Sequence, residues 1–135
     1  MDKIQQKQPS AKELAELCAA IADDRKAENI KILEMSELSV MSDYFVLCTA
    51  NSEPHIKAIS VRIGKDVREH FNIRPKSVEG TAVSEWILMD YFSVVVHIMT
   101  PAMRDVYQLE SLWGDAPEIE AVKTAEAIVA GIKAE

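Results

Sequence analysis

Apolar residues recur at helical spacing in the first part of the chain. The positions of this stripe are Leu14, Leu17, Cys18 and Ile21. Because charged residues fall between them, the stripe predicts an amphipathic helix from Ala11 to Ala27. Ser10 and Glu13 form the S-x-x-E capping box that is typical of a helix start. Residues 1–10 are mostly polar, and we expect them to form a flexible N-terminal arm.

Four segments have the composition of β-strands. Ile30 to Met35 and Asp43 to Thr49 are rich in aromatic and β-favouring residues and are separated by a polar loop. Glu85 to Asp90 and Ser93 to Met99 are close enough in the chain to pair as a hairpin. The turn of this hairpin is expected at residues 91–92.

Three further helices are predicted. The second helix is marked by an apolar stripe at Ile56, Ile59, Ile63, Val67 and Phe71. It follows Asn51 and Ser52, either of which could be its N-cap. The stretch Asn72 to Gly80 contains Pro and Gly and is expected to be a linker. Met103 to Leu112 predicts a short helix, and Glu118 to Lys133 predicts a last amphipathic helix.

The mixture of helices with a hairpin indicates the fold class. It predicts an α/β fold of the mixed α+β type, in which helices cover a sheet of about four or five strands. With 135 residues, 48% of them hydrophobic, the chain is expected to build one core. We divide it into the N-terminal arm, a main domain at 11–117 and a C-terminal helix at 118–135.

Charge and cysteine content restrict the kinds of partner and the cellular compartment that we expect. The chain has 15 Lys and Arg against 22 Asp and Glu, a formal net charge of -7, which on balance repels phosphate-rich partners and favours a basic protein. The net charge does not exclude a local basic patch on the surface. No signal peptide is visible, and no apolar run approaches the roughly 20 residues of a membrane span. We expect a cytoplasmic protein without a membrane partner, in which Cys18 and Cys48 are reduced.

The sequence offers little catalytic chemistry. Its four glycines are too scattered for a Walker loop or a GxGxxG turn, and the strand Ser93 to Met99 has no carboxylates for a two-metal site. Cys48 and His97 could meet as a nucleophile and its base, although a lone Cys in an apolar strand is usually a core residue. His55 and His70 lack the spacing of zinc ligands. We expect no metal and no cofactor.

The segment SEWILMDY carries large apolar groups on both of its faces. Alternation puts Trp86, Leu88 and Asp90 on one face and Ile87, Met89 and Tyr91 on the other. It is either a central strand covered on both sides or a strand with one face open to a partner, since Trp and Tyr dominate binding hot spots. Trp113, near an expected helix end, allows the same two interpretations.

Four motifs occur together in this chain. They are DYFVLCTANS at 43–52, the EG pair of Glu79 and Gly80, W-x-L-x-DY with VVVH at 86–97, and R-x-x-Y-x-LE-x-LW-x-DA at 104–116. In this order they resemble the Iojap or ribosomal silencing factor family, and the resemblance covers about Ala11 to Pro117. It implies a fold like that of nucleotidyltransferases without their catalytic carboxylates, and a protein that is not an enzyme.

The resemblance also implies partners and a mechanism. Family members bind the large ribosomal subunit through ribosomal protein fourteen, on the face that meets the small subunit, with ribosomal RNA at most a secondary contact. Occupying that face blocks subunit joining and slows translation when nutrients are scarce. A homodimer is possible, because an apolar docking surface left open favours self-association.

The resemblance also implies which residues of this chain correspond to the family's partner-binding residues. They are Trp86, Asp90, Tyr91, Arg104, Tyr107, Glu110 and Trp113. Each either contacts the partner or shapes the partner surface. Trp86 has the alternative of a core residue, and Arg104 that of pairing with Glu110 or Asp115 inside the protein.

The chain departs from the family pattern at two places. Ala50 stands where the family usually has Gly, and Phe92 and Ser93 stand where it usually has Gly-Asp. The second change alters the expected hairpin turn. Our hypothesis is that Phe92 adds apolar contact area.

Overall fold

A mixed six-stranded sheet forms the centre of the described part of the chain. The computed structural model describes residues 7–35, 42–112, 114, 116–120 and 123–134, with the backbone alone at 110 and 112. The strands are β1 (Glu28–Glu34), β2 (Tyr44–Thr49), β3 (Ser77–Thr81), β4 (Trp86–Asp90), β5 (Val94–Met99) and β6 (Glu118–Ile119). Their order across the sheet is β3-β4-β5-β2-β1-β6.

The helices divide between the two sides of this sheet. They are α1 (Ala11–Asp24), α2 (Glu53–Phe71), α3 (Pro101–Tyr107), α4 (Leu109–Leu112) and α5 (Ala125–Ala134). The first, second and fifth pack on one side, which we call the helix-covered face. Helices α3 and α4 lie on the other side, which we call the second face. The predicted α+β class is confirmed, and the sheet has one strand more than expected.

The pairing of β2 with β5 is parallel, and every other pairing in the sheet is antiparallel. Strand β5 is buried along its whole length. Its alternate residues Val94, Val96 and Ile98 join the core under the helices, together with Val46 and Cys48 of β2. The remaining residues of both strands face the second side, so the strand pair at the centre serves two different packing layers.

The N-terminal half follows its sequence closely. The predicted capping box is present: Ser10 Oγ accepts from Glu13 N–H at 3.1 Å, and Glu13 Oε1 accepts from Ser10 N–H at 2.8 Å. Helix α1 ends at Asp24, three residues before the predicted end, because Lys26 turns into the left-handed region at φ 70°. Ser52, not Asn51, is the N-cap of α2, since its Oγ accepts from the N–H of His55.

The expected linker at 72–80 is wrong in its second half. Ser77–Thr81 forms β3, which pairs with β4 at the edge of the sheet. Its five residues are mostly exposed, so they carry no apolar alternation from which a strand could be recognised. The position of Gly80 explains the EG pair: Gly80 has φ +83°, and a Cβ on it would lie 2.1 Å from the carbonyl oxygen of Trp86.

The predicted bounds of two helices near the C-terminus are wrong. The helix expected at 103–112 is two helices, α3 and α4, separated by Gln108 in the left-handed region at φ 45°. The helix expected at 118–133 begins only at Ala125, and Glu118–Ile119 instead pairs with β1 as a sixth strand. Sheet pairing satisfies the backbone there, a long-range effect that a local apolar pattern cannot report.

The β4–β5 hairpin forms as predicted. Ser93 N–H donates to the carbonyl of Tyr91 at 3.0 Å around Phe92 at φ +72°, which is a γ-turn. Asp90 Oδ1 accepts from the N–H of Phe92 at 2.8 Å, and Lys76 Nζ lies 4.9 Å from the Phe92 ring centre. A glycine, which the family resemblance implies at this position, would adopt this left-handed conformation without strain, whereas this chain has a phenylalanine there that is held by these contacts.

Within the described ranges, no helix combines the length and the apolar character that a membrane crossing requires.

Replacing Gly80 by Ala is expected to lower the free energy of unfolding by about 2–3 kcal/mol, because the new Cβ meets the Trp86 carbonyl and the positive φ is strained. Gly131→Ala in α5 is the matched control: nothing lies within 4 Å of its Cβ position, so a gain of about 0.5–1 kcal/mol is expected. Urea unfolding of both variants measures the two effects. Equal stability of both variants would contradict the clash.

Candidate partner-binding face

The second face of the sheet carries most of the side chains singled out by the sequence motifs. Part of it is covered, because Leu33, Met35 and Leu47 form a small core with apolar residues of α4 and the segment after it. Trp86 and Leu88 of β4, in contrast, are only half-buried. The covered part is packed against α4, and the half-buried part leaves some of the Trp86 and Leu88 side chains in contact with solvent.

Four aromatic rings form a cluster on this face, which we call the aromatic cluster. Its members are Phe45, Trp86, His97 and Tyr107. The ring centres are 4.8 Å apart for Trp86 and Tyr107, and 5.9 Å apart for Trp86 and His97. Those of Phe45 and His97 are 5.0 Å apart. All pairs are tilted, an arrangement favourable for aromatic contacts beyond their burial. Tyr107 is the outermost member, with 51% of its surface exposed.

His97 is the buried centre of this cluster. Its Nδ1 accepts a hydrogen bond from Trp86 Nε1 at 3.2 Å, which requires the neutral ring with its proton on Nε2. Nε2 is buried and has no hydrogen-bond partner among the described residues. Burial lowers the pKa of His97 to about 4. At neutral pH the ring is therefore uncharged and fixes the orientation of the Trp86 indole.

Asp90 and Tyr91 lie on opposite faces of the sheet. Asp90 is half-buried on the second face and shapes the hairpin turn through its bond to the Phe92 N–H. Tyr91 is only 5% exposed and packs in the core under the helices, where burial raises the pKa of its hydroxyl. Of the two roles that the motifs left open for Tyr91, contact with a partner or shaping of the partner surface, this burial favours the second. The exposed side chain of the turn is Phe92, at 63%.

Arg104 lies on α3 and is 6% exposed. Its Nη1 donates to Thr49 Oγ1 at 2.9 Å, a bond that ties α3 to the end of β2. Thr100 is the N-cap of this helix: its Oγ1 accepts from the Met103 N–H and donates to Glu85 Oε1 at 2.8 Å. Arg104 thus helps to hold the helix that carries Tyr107.

Glu110 lies in α4, and its side chain is not among those described. Trp113 and Asp115 fall outside the described residues. Their suggested roles, including the pairing of Arg104 with Glu110 or Asp115, stay predictions.

The Cys48 and His97 pair considered as a nucleophile and its base is ruled out by sheet register. In the parallel pairing, Leu47 lies beside His97 and Cys48 lies beside Ile98. Successive residues of a strand point to opposite faces, so the thiol and the imidazole lie on opposite sides of the sheet. Burial raises the pKa of Cys48 to about 12, which keeps its thiol protonated at neutral pH.

Metal ligands are not grouped in the described ranges. There, no three His, Cys, Asp or Glu side chains come together in a way that could hold an ion. His55 instead joins two helix ends: its Nε2 lies 2.7 Å from the carbonyl oxygen of Arg25, and its Nδ1 accepts from Asn51 N–H at 3.0 Å.

The sequence did not identify Phe45 as part of this face. The sequence does contain a pattern that places Phe45, because the alternation of β2 puts Phe45 and Leu47 on one side of the strand, opposite Cys48. The missing information was the parallel pairing that brings this side next to His97. Trp86 joins the aromatic cluster because it lies on the same face of β4 as Leu88, the residue that is paired with His97.

Comparisons with known proteins agree over nearly the whole chain. A family model described as ribosomal silencing factor during starvation matches residues 8–134. The protein named Ribosomal silencing factor RsfS of Bacillus subtilis (strain 168) is 41% identical over 106 residues, which are 78% of this chain and 89% of the relative. The mouse protein named Mitochondrial assembly of ribosomal large subunit protein 1 is 27% identical over 101 residues. These residues are 73% of this chain and 44% of the mouse protein.

The fold is also similar to that of a solved structure. A crystal structure of a Chromobacterium violaceum protein has a TM-score of 0.75 and 29% sequence identity to this chain. The likeness covers 87% of this chain and 96% of that one.

Acidification is expected to destabilise the protein through His97. Its pKa is about 4 in the folded chain against 6.5 ordinarily, so below pH 6.5 the unfolded chain binds more protons and stability falls. His97→Asn keeps an acceptor for the Trp86 N–H but does not titrate. Between pH 7 and pH 5, wild type should lose roughly 1–2 kcal/mol more than His97→Asn in urea unfolding. Parallel losses in the two proteins would count against this role.

Thiol reagents are expected to leave the folded protein unlabelled. Cys18 and Cys48 are both fully buried, and burial raises the pKa of each thiol to about 12. Labelling at neutral pH should therefore follow unfolding, with complete reaction only in denaturant. Mass spectrometry of timed samples measures this. Rapid labelling of Cys48 in the native protein would reopen a nucleophilic role.

Proposed function

The chain belongs to the ribosomal silencing factor family, and we propose that it binds the large ribosomal subunit and keeps the small subunit from joining. In this proposal the partner on that subunit is ribosomal protein fourteen, which the family resemblance implies. The mechanism is steric occlusion, which needs no catalytic turnover. Its consequence is reduced translation when nutrients are scarce.

The names of the relatives support a ribosomal role. The Bacillus subtilis relative is named a silencing factor, and the mouse relative is named for assembly of the large ribosomal subunit. Both names describe regulation or assembly rather than a reaction, which supports the proposal that this chain is not an enzyme. A cytoplasmic location follows from the same proposal.

The observation that carries the proposed site is the half-open aromatic cluster. Tyr107 is half-exposed and packs on Trp86, which is itself fixed by a hydrogen bond to His97. Aromatic side chains that are held rigid lose little conformational entropy on binding and bury a large area, so they make effective hot spots. We propose that Trp86 and Tyr107 contact the partner directly.

Other members of the predicted site act on the shape of this surface. We assign Asp90 to the hairpin turn and Arg104 to the placement of α3, and Tyr91 to the core beneath the strand. Glu110 and Trp113 continue the same motif and are proposed to extend the contact. Ribosomal RNA is a secondary contact in this proposal, in keeping with the net charge of -7. The same apolar surface, left open in the free protein, favours a homodimer through the aromatic cluster.

Sedimentation with separated ribosomal subunits tests the proposal. Wild-type protein should migrate with large subunits and not with small subunits, and it should reduce the fraction of joined ribosomes. Tyr107→Ala should bind at least about tenfold more weakly, because it removes an aromatic anchor. Val106→Ala is the matched control, since Val106 lies next to Tyr107 on α3 and is 71% exposed.

The outcomes are distinct. Binding to neither subunit would reject the ribosomal function. Binding that is equally strong in wild type and Tyr107→Ala would keep the function and reject the aromatic cluster as its site. An equal loss in Val106→Ala would mean that α3 as a whole, rather than the Tyr107 ring, is needed.

A further inference from the structure

A second candidate surface lies on the opposite side of the sheet, between α2 and the edge strand β3. It is an open groove of about 600 Å³, which we call the α2–β3 groove. Its lining residues are Ser60, Val61, Gly64, Lys65, Arg68, Arg74, Pro75, Val78 and Met89. The groove forms because α2 packs against α1, β4 and β5 and leaves β3 largely uncovered.

The floor of the groove is apolar and exposed. Val61 is 55% exposed and Val78 is 52% exposed, so both belong to the exposed large apolar side chains among the described residues. Gly64 presents no side chain and keeps the helix side of the groove shallow, with Met89 3.7 Å from the position of its Cβ. An apolar side chain of a partner would bury area here that this chain leaves in water.

The rim of the groove is basic, although the chain as a whole is acidic. Lys65, Arg68 and Arg74 are all exposed, and no carboxylate is among the groove's described lining residues. The one described side-chain hydrogen bond of these three cations joins Arg74 Nη1 to the neutral amide oxygen of Asn72 at 3.3 Å. In contrast, Arg62 on another side of α2 is paired with Asp66 at 3.0 Å.

Strand β3 adds a backbone edge to this surface. It pairs with β4 on one side and is the last strand of the described sheet on the other. An uncovered edge strand presents unpaired N–H and C=O groups, which can accept another strand. Side chains of such an added strand alternate between the two faces, so every second one would point over the groove.

We propose that the α2–β3 groove binds an extended acidic segment of a partner protein, which adds to the sheet along β3. One apolar side chain of the segment packs on Val61 and Val78. Carboxylates two residues before and after it, on the same face, meet Arg68 and its neighbouring cations. The groove lies on the helix-covered face, so this contact is separate from the aromatic cluster and does not depend on the ribosomal role.

A nucleic acid fits the same surface less well. Phosphates would satisfy the cations, but no aromatic ring is among the described lining residues for bases to stack on. The exposed valines would then stay uncovered, and the edge of β3 would stay unpaired. A protein strand satisfies the apolar floor, the basic rim and the backbone edge together.

The test uses the full chain and the capped peptide Thr-Glu-Thr-Val-Thr-Glu-Thr, whose alternation puts both Glu and the Val on one face. Amide NMR spectra are recorded during the titration. We expect shifts in β3 and along the groove side of α2, and slower amide hydrogen exchange in β3. Control peptides replace Glu by Gln or Val by Gly, and each should bind several-fold more weakly.

Paired variants of this protein locate the site. Arg68→Glu combined with Arg74→Glu should weaken peptide binding roughly tenfold, since two attractions become repulsions. Lys57→Glu is the matched control, because Lys57 is exposed on the same helix but does not line the groove. It should bind like wild type. Urea unfolding of each variant shows whether it is folded.

Three results would overturn the proposal. The first is an absence of shifts in β3 and α2 at millimolar peptide. The second is an equal loss of binding in Lys57→Glu, which would indicate a general charge effect. The third is tighter binding of oligouridylate than of the peptide to the same residues, which would identify the groove as a nucleic-acid site. Ribosome sedimentation of the double variant is expected to be unchanged, so a failure of either proposal is distinguished from a failure of the other.

Discussion

The parallel pairing of β2 with β5 is the constraint on which the rest of the structure depends. Each strand alternates between two faces, so one register decides at once which residues enter the core under α1, α2 and α5 and which form the second face. A shift by one residue would put His97 under the helices and Ile98 beside Trp86. The separation of Cys48 from His97 and the assembly of the aromatic cluster are two results of the same register.

The two faces differ in character because they are covered to different extents. The helix-covered face holds a continuous apolar core, with Ile59 and Ile63 of α2 fully buried against the strands. The second face is only partly closed by α3 and α4, which leaves aromatic rings that are rigid and still reachable. His97 connects these properties: its burial keeps it neutral, and its neutrality lets it accept the Trp86 hydrogen bond. A binding surface that is already ordered loses less entropy when a partner arrives.

Charge is distributed unevenly over this acidic chain. One groove, between α1 and the strands β1 and β6, is lined by one lysine, Lys123, and by the carboxylates Asp23, Asp24, Glu118 and Glu120, whereas the α2–β3 groove at the other edge of the sheet is rimmed by cations. The net charge of -7 therefore averages two surfaces of opposite character. It favours no single partner for the whole molecule, and different faces can select partners of different charge.

The sequence by itself determined the local elements and the family: the capping box of α1, the apolar stripe of α2, the strand composition of β2, β4 and β5, and the four motifs in their order. Each is set by neighbouring residues, through helix caps, periodicity and side-chain preference. Only the tertiary structure decided that Ser77–Thr81 and Glu118–Ile119 are strands, that Tyr91 is buried, and that Phe45, Trp86, His97 and Tyr107 meet. The physical reason is that backbone pairing and burial depend on residues far apart in the chain, and no local pattern contains the register that brings them together.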